Sequence, residues 1–176
     1  MNITTFLGLL WLFLLPFIVL THSPATVITI QQTYSDIDAS QTIAYVSGDA
    51  NLPTMPQQQS QHMQDVRQIV VVSTGIFILV SAALLLSDTL ITKQFLWLTG
   101  TSIILASLLY FLVDFTLLFE GFHRLLFAPG SYTFAHSSFL ISRFPQEFFR
   151  HLLQVVLQIW GVSTGVLTLS YLLRNE

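Results

Sequence analysis

The stretch IVVVSTGIFILVSAALLLS, residues 69–87, decides the fold, because its nineteen residues include no charged side chain. About 20 apolar residues in a helix cross the roughly 30 Å hydrocarbon layer of a bilayer. An isolated strand would leave its backbone amides and carbonyls unpaired in lipid, so the segment must be helical. The stretch therefore predicts a transmembrane helix at about residues 68–87.

Three further apolar stretches lie at about residues 5–21, 95–119 and 152–173, and a single charged residue, Asp114, falls among them. Charged residues make up 9 % of the whole chain, against roughly 25 % in an average soluble protein. So few charges cannot build a water-exposed surface, and lipid must cover much of the protein. We therefore expect an all-α membrane protein with four transmembrane helices in a single domain, residues 1–176.

The first apolar stretch has a second interpretation, as a cleaved signal peptide. That interpretation requires a basic segment before the apolar core and a small-residue cleavage site after it. No Lys or Arg precedes Phe6, and His-Ser-Pro-Ala at residues 22–25 makes a poor cleavage site. These features favour a retained transmembrane helix.

Composition also excludes several classes of function. The net charge of −3 is small and of the wrong sign for a nucleic-acid partner. The absence of cysteine excludes disulfides, thiolate catalysis and cysteine-type zinc sites.

Two polar segments connect the predicted helices. In the first, residues 22–67, the alternating β-branched run at residues 26–30 predicts a short strand. Asp38 is then expected to cap a short helix that Gly48 ends, so that strand and helix form a small cap. The second, residues 120–151, is rich in aromatic side chains and is expected to lie at the membrane interface.

Both polar segments belong to one face of the membrane, because the connection between the second and third helices, about residues 88–94, is very short. His62 precedes the second helix and His123 ends the third, so the two histidines share that face in either orientation. The cationic residues do not reveal the orientation. Four arginines lie on the long-segment face, against Lys93, Arg174 and the terminal amine on the other.

Each of these histidines has an acidic neighbour at helical spacing. Asp65 lies three residues after His62, and Glu120 lies three residues before His123 and four before Arg124, so these side chains can touch. A carboxylate beside an imidazole fixes its tautomer and raises its basicity. The alternative is that each histidine is only a polar anchor at the interface.

Asp114 lies inside an apolar stretch, where a charged side chain costs roughly 2.5–3.5 kcal/mol on insertion scales. We therefore expect it to face the interior of the bundle, either in a functional role or in a structural hydrogen bond. The histidines and their acidic neighbours match no compact metal-ligand motif, so neither a metal site nor a cofactor is expected.

Five segments together resemble a bacterial integral membrane family, the one that contains the lipoprotein intramolecular transacylases known as Lit. They are HMQDV at 62–66, DFTLLFEGFHRLLF at 114–127, GSYTF at 130–134, LI at 140–141 and FPQEFF at 144–149. The resemblance implies an enzyme that moves an acyl chain from the sn-2 ester of a diacylglyceryl-cysteine to the α-amine of that cysteine.

The resemblance also implies roles for individual residues. The family's two histidines correspond to His62 and His123, so these are the expected catalytic residues. The hypothesis is that His123, aided by Glu120, is the base, and that His62, oriented by Asp65, stabilises the oxyanion or protonates the leaving group; the sequence leaves the reverse assignment open. The expected supporting residues are Asp65, Glu120, Arg124 and Asp114, and the expected substrate-binding residues are Tyr132 and Phe127.

The implied location is the cell membrane, with both termini cytoplasmic and segments 22–67 and 120–151 extracytoplasmic. The implied partners are membrane lipids and the lipid-modified N-terminus of lipoproteins, while the oligomeric state stays open. Two other functions remain open: a non-enzymatic membrane scaffold or accessory protein, and a related lipid-ester hydrolase that uses water as the acceptor.

Overall fold

In a computed structural model, residues 3–87 and 92–174 are described, and they contain helices and no strand. Eight helices follow one another within these ranges: α1 (Ile3–Thr21), α2 (Pro24–Gln32), α3 (Ser40–Ser47), α4 (Gln57–Leu85), α5 (Lys93–Leu112), α6 (Phe115–Leu126), α7 (Phe139–Arg143) and α8 (Gln146–Arg174). The all-α class is therefore confirmed.

Four of these helices, α1, α4, α5 and α8, are long and apolar enough to cross a membrane, as predicted. Both α4 and α8 have 29 residues, more than the roughly 20 that a bilayer requires. Because α4 begins at Gln57, His62 lies on the same continuous helix as the apolar stretch. The expected short connection at 88–94 falls partly outside the described residues, at positions 88–91.

The third apolar stretch differs from its prediction, because α5 ends at Leu112 and α6 begins at Phe115. Asp114 stands at the break and caps α6, where its carboxylate accepts a hydrogen bond from the Thr116 amide at 2.8 Å. Its side chain is exposed, so the expectation that it faces the bundle interior is wrong. Aspartate favours helix N-caps over helix interiors because its short side chain bonds to nearby backbone amides.

The predicted strand at residues 26–30 is also wrong, because these residues lie in α2. Pro24 stands in the first turn of α2, where its missing amide hydrogen costs nothing. The Thr29 hydroxyl donates to the Ala25 carbonyl one turn earlier at 2.9 Å. β-branched residues favour strands only where a neighbouring strand packs beside them, and the described residues contain none.

Helix α3 is close to its prediction. It ends at Ser47, and Gly48, with a φ of 96°, forms the left-handed C-cap that glycine adopts without strain. The N-cap is Ala39, one residue later than expected. Asp38 still serves the helix start, since its carboxylate accepts from the Ser40 amide at 2.9 Å.

The chain divides into two compact units. The described parts of the first unit lie within residues 1–18, 73–112 and 154–176, and include most of the apolar helical surface. In it, the Trp11 ring stacks on Phe77, and the Trp11 indole N–H donates to the Ser81 hydroxyl at 2.8 Å.

The second unit comprises Val19–Val72 and Val113–Leu153, and it contains both histidines of interest. Its core is formed by Tyr45, Met63 and Leu140, with further apolar side chains packed against them. Met63 directly follows His62, so the core fixes the face of α4 from which the histidine projects.

Candidate active site

Helices α4 and α6 bring His62 and His123 together. Their ring centroids are 6.1 Å apart and the ring planes differ by 23°. Both side chains are buried, each with 8 % of its surface exposed. The sequence predicts only that the two histidines share one face, and the structure adds that their rings lie next to each other.

Aromatic rings surround the histidine pair. Phe127, which follows α6 directly, contacts both imidazoles, with centroids 4.6 Å from His62 and 5.4 Å from His123. Phe134 lies 5.5 Å from His62, and Tyr132 lies 5.2 Å from His123. The two expected substrate-binding residues, Tyr132 and Phe127, thus both touch the histidines, and Phe134 joins them.

The tautomer of His123 follows from its hydrogen bond within α6. Its Nδ1 lies 2.7 Å from the backbone carbonyl oxygen of Phe119, one turn earlier, and the Phe119 ring also packs on it. A carbonyl oxygen only accepts, so Nδ1 carries the hydrogen and donates. Burial lowers the pKa of His123, and the bond to Phe119 opposes this shift only in part. The neutral ring therefore has a free lone pair on Nε2.

His62 is held by packing rather than by a carboxylate. Its Nδ1 is buried and has no hydrogen-bond partner among the described residues. Asp65 is exposed and influences His62 through its charge, so the expectation that it orients the ring by a hydrogen bond is not met. The rings of Phe127 and Phe134 and the adjacent core residue Met63 fix the position of His62 instead.

Glu120 does not orient His123, contrary to expectation. Its carboxylate pairs with the Arg124 guanidinium at 3.0 Å, and the two side chains are 50 % and 72 % exposed. Both Arg124 and His123 are within helical reach of Glu120, but the imidazole turns inward to the Phe119 carbonyl. An exposed pair of this kind contributes little to stability, so Glu120 and Arg124 form a surface ion pair beside the site.

Two glutamines near the histidines were not anticipated from the sequence. Gln59 is buried, and its Oε1 accepts from the Leu140 amide at 2.8 Å. Gln58 donates through Nε2 to the Gly130 carbonyl at 2.8 Å. Helical spacing could have indicated Gln59, because it lies three residues before His62 and therefore on the same face of α4.

Within residues 3–87 and 92–174, no three His, Cys, Asp or Glu side chains are grouped so that they could hold a metal ion. The residues assembled at the site are instead two imidazoles, aromatic rings and amide side chains. Such a set suits proton transfer and hydrogen bonding to an uncharged, lipid-like substrate.

Comparison with known families gives a match to the family described as lipoprotein intramolecular transacylase Lit, over residues 31–149. This range covers more than half of the chain and contains both histidines, Phe127, Tyr132 and Phe134. The chain belongs to this family. No curated protein and no solved structure matches the chain. With its four apolar helices, this Lit family member is a membrane protein of the lipoprotein-modification class.

Proposed function

We propose that this protein is a histidine-assisted lipoprotein intramolecular transacylase. Its substrate would be the diacylglyceryl-cysteine at the N-terminus of a lipoprotein. Its product would carry an acyl chain on the cysteine α-amine and a free hydroxyl at the sn-2 position of the glyceryl group. The observation that supports this best is the buried pair of histidines, with rings 6.1 Å apart, in a chain of the Lit family.

The reaction needs one base and one hydrogen-bond donor. The amine nitrogen attacks the sn-2 ester carbonyl, a C–N bond forms, and the bond from the acyl carbon to the glyceryl oxygen breaks. One proton leaves the nitrogen and another reaches the departing oxygen, so the atoms balance without any other reactant. General-base catalysis and stabilisation of the tetrahedral oxyanion each contribute about 10²- to 10⁴-fold in rate.

The hydrogen-bond pattern supports different roles for the two rings. With its hydrogen on Nδ1, His123 offers Nε2 as the base that takes the proton from the amine. In His62, a hydrogen on the sealed Nδ1 would be an unsatisfied buried donor, which costs about 1–3 kcal/mol. The favoured tautomer of His62 carries the hydrogen on Nε2 and donates a hydrogen bond to the oxyanion, keeping that hydrogen throughout. The proton that His123 takes from the amine is then given by the His123 imidazolium to the leaving glyceryl oxygen, which returns both rings to their neutral state.

The aromatic rings are proposed to bind the ester end of the substrate. Phe127 lies against both imidazoles, and Tyr132 lies against His123. Rings in these positions keep the reacting ester in a low-dielectric setting, in which hydrogen bonds to the developing charge are stronger. The proposed supporting residues act through charge or capping: Asp65 near His62, the Glu120–Arg124 pair, and Asp114 at the start of α6.

The proposed orientation follows from the chemistry of lipoprotein maturation. We propose one membrane domain with both termini cytoplasmic and segments 22–67 and 120–151 extracytoplasmic, where lipid-modified N-termini are found. Fusion of a reporter that is active on one side of the membrane to residue 174 would test this orientation.

The test of the proposed function uses His62→Ala and His123→Ala in a bacterial strain that makes diacylglyceryl lipoproteins and lacks its own transacylase. Mass spectrometry of a reporter lipopeptide should give the N-acyl, lyso-glyceride form with the wild-type protein and lose it with either variant. His136→Ala, at an exposed position in the same unit, is the matched control and should retain the product. Unchanged product from both site variants would refute the histidine mechanism.

A further inference from the structure

The segment at residues 128–138, here called the aromatic loop, brings Tyr132 and Phe134 against the two histidines. It is built from turns, with a left-handed Gly130 at φ 82°, and has little regular structure of its own. A loop of this kind is held in place by its contacts with other elements. The side chains that anchor it therefore decide how firmly the two rings stay at the site.

Two consecutive glutamines in the first turn of α4 provide such anchors. Gln58 donates to the carbonyl of Gly130 near the beginning of the aromatic loop. Gln59 accepts from the amide of Leu140, the second residue of α7, which follows the loop. The first amides of a helix have no partner within the helix, so Gln59 satisfies a donor that is buried with it.

The Gln59 contact is the stronger constraint of the two. Its side chain is 5 % exposed, as is that of Leu140, which belongs to the core of the second unit. Removing the acceptor would leave the Leu140 amide buried and unsatisfied, whereas the exposed Gln58 bond can be replaced by water. Gln59 and His62 lie on the same face of α4 one turn apart, so this bond ties the end of the aromatic loop to the helix that carries the catalytic ring.

We infer that Gln59, assisted by Gln58, is a positioning residue that decides whether the acyl chain passes to the amine or to water. This inference rests on the proposed function. Both acceptors attack the same ester carbonyl, and either can give a proton to the same base. With water, a C–OH bond forms, the bond to the glyceryl oxygen breaks, the water proton reaches that oxygen, and a free fatty acid leaves.

The two outcomes depend differently on geometry. An amine held in the attacking position reaches effective molarities of about 10⁵–10⁸ M, but a displacement of about 1 Å can reduce its rate about 100-fold. Water needs no such orientation, and it enters more easily when the aromatic rings move away. A loosened aromatic loop should therefore slow transfer while it preserves or increases hydrolysis.

The test measures both products from one substrate. Purified protein in phospholipid vesicles is given a synthetic diacylglyceryl-cysteine lipopeptide, and the N-acyl lyso-lipopeptide and the released fatty acid are quantified together. The variants are Gln59→Met, which keeps the length of the side chain and loses the acceptor, and Gln58→Met at its exposed neighbour. Gln57→Met, the same change at an exposed position two residues earlier, is the control.

We expect Gln59→Met to raise the ratio of fatty acid to N-acyl product about tenfold or more, through a lower kcat for transfer with little change in KM. Gln58→Met should raise the ratio less, and Gln57→Met should leave it unchanged. Gln59→Glu offers an acceptor oxygen in either protonation state, so it should restore the wild-type ratio in large part.

The outcomes separate this inference from the proposed function. An unchanged product ratio in both Gln59→Met and Gln58→Met, whatever the total activity, would overturn the positioning role and leave the transacylase intact. Melting temperatures of the purified variants identify any loss caused by unfolding, and the exposed Gln58→Met keeps the test decisive if Gln59→Met is unstable. Wild-type protein that forms no N-acyl product would overturn the proposed function, and the inference with it.

Discussion

The two compact units differ in what holds them together. In the first unit, many large apolar side chains are exposed, and the hydroxyls of Thr168 and Ser170 bond to carbonyls four residues earlier in their own helix. In the second unit, buried polar side chains bond to backbone groups far away in the chain: Gln31 reaches Arg143, and Gln59 reaches Leu140. Among the described residues, the first unit thus presents mainly apolar surface, with the Trp11–Ser81 bond as a long-range polar contact. In the second unit, the buried Gln31 and Gln59 bond to distant backbone groups.

This difference explains why the candidate active site lies in the second unit. Apolar helices in lipid need little beyond length and hydropathy to form. A site that moves protons needs buried polar groups, and those persist only where each finds a partner or has a function. His62, whose Nδ1 has no partner among the described residues, lies in the unit in which buried side chains such as Gln31 and Gln59 are otherwise satisfied.

The largest predicted effect separates the two histidines. His123→Gln removes the base and should lower kcat for transfer about 10²- to 10⁴-fold. His62→Gln keeps an N–H donor and should retain more than tenfold the activity of His123→Gln, since an oxyanion needs a donor and not a base. The transfer rates of the two variants in the vesicle assay test this prediction. If His62→Gln lost more activity than His123→Gln, the proposed roles of the two histidines would be exchanged.

The next effect concerns stability and contrasts the two units directly. Gln31 is 1 % exposed and donates to the carbonyls of Ile37 and Arg143 at 3.1 and 2.9 Å. Gln31→Met should cost about 1–3 kcal/mol, because acceptors buried with it lose their donor. In the first unit, Ser81→Ala removes the acceptor of the Trp11 indole, and hydrogen bonds between membrane helices average only about 0.6 kcal/mol.

Thermal unfolding in detergent compares these two variants. The melting temperature should fall clearly more for Gln31→Met than for Ser81→Ala. Equal losses would show that long-range polar contacts do not distinguish the second unit from the first.

The smallest predicted effect is a dependence of stability on pH. Burial lowers the pKa of His123 below its ordinary value of 6.5, so the unfolded chain binds a proton more readily than the folded one. The free energy of unfolding should therefore decrease as pH falls through 6.5 and on toward the lower folded-state pKa, and should be restored above that range. Melting temperatures between pH 5 and 8 measure it.

The control for this pH dependence compares variants of a buried and an exposed histidine. His123→Phe should reduce the loss of stability on the acid side without removing it, because the equally buried His62 remains, whereas His136→Gln, at an exposed position, should leave the profile as in the wild type. An identical acid loss in all three proteins would assign the effect to other groups.

Much of the first unit could be predicted from the sequence, because hydropathy and length carry nearly all the information about membrane-crossing helices. Helix connectivity alone also predicts that His62 and His123 share one face, but not that their rings lie next to each other. The two failures in the fold have a shared cause. Both the break at Asp114 and the helix at residues 26–30 depend on local backbone bonding, through an N-cap and a helix-starting Pro24, which outweighed the apolar or β-branched pattern.

The orientation of side chains at the site was less predictable. Helical spacing allows Glu120 to reach either His123 or Arg124, and only packing selects Arg124. The anchors of the aromatic loop join residues 72 and 81 positions apart in the chain, a separation that periodicity does not address. Local spacing therefore indicated which residues gather at the site, while long-range packing determined which of them touch.

The most direct test of the central claim uses purified protein in vesicles and a diacylglyceryl-cysteine lipopeptide with an isotopic label in its sn-2 acyl chain. Mass spectrometry follows the label over time with wild-type protein and with His123→Gln. The account predicts that the label moves to the cysteine amine of the same lipopeptide, leaving a free sn-2 hydroxyl, and that His123→Gln nearly abolishes this movement. Label that stays on the glyceryl group, or that moves equally fast without His123, would contradict it.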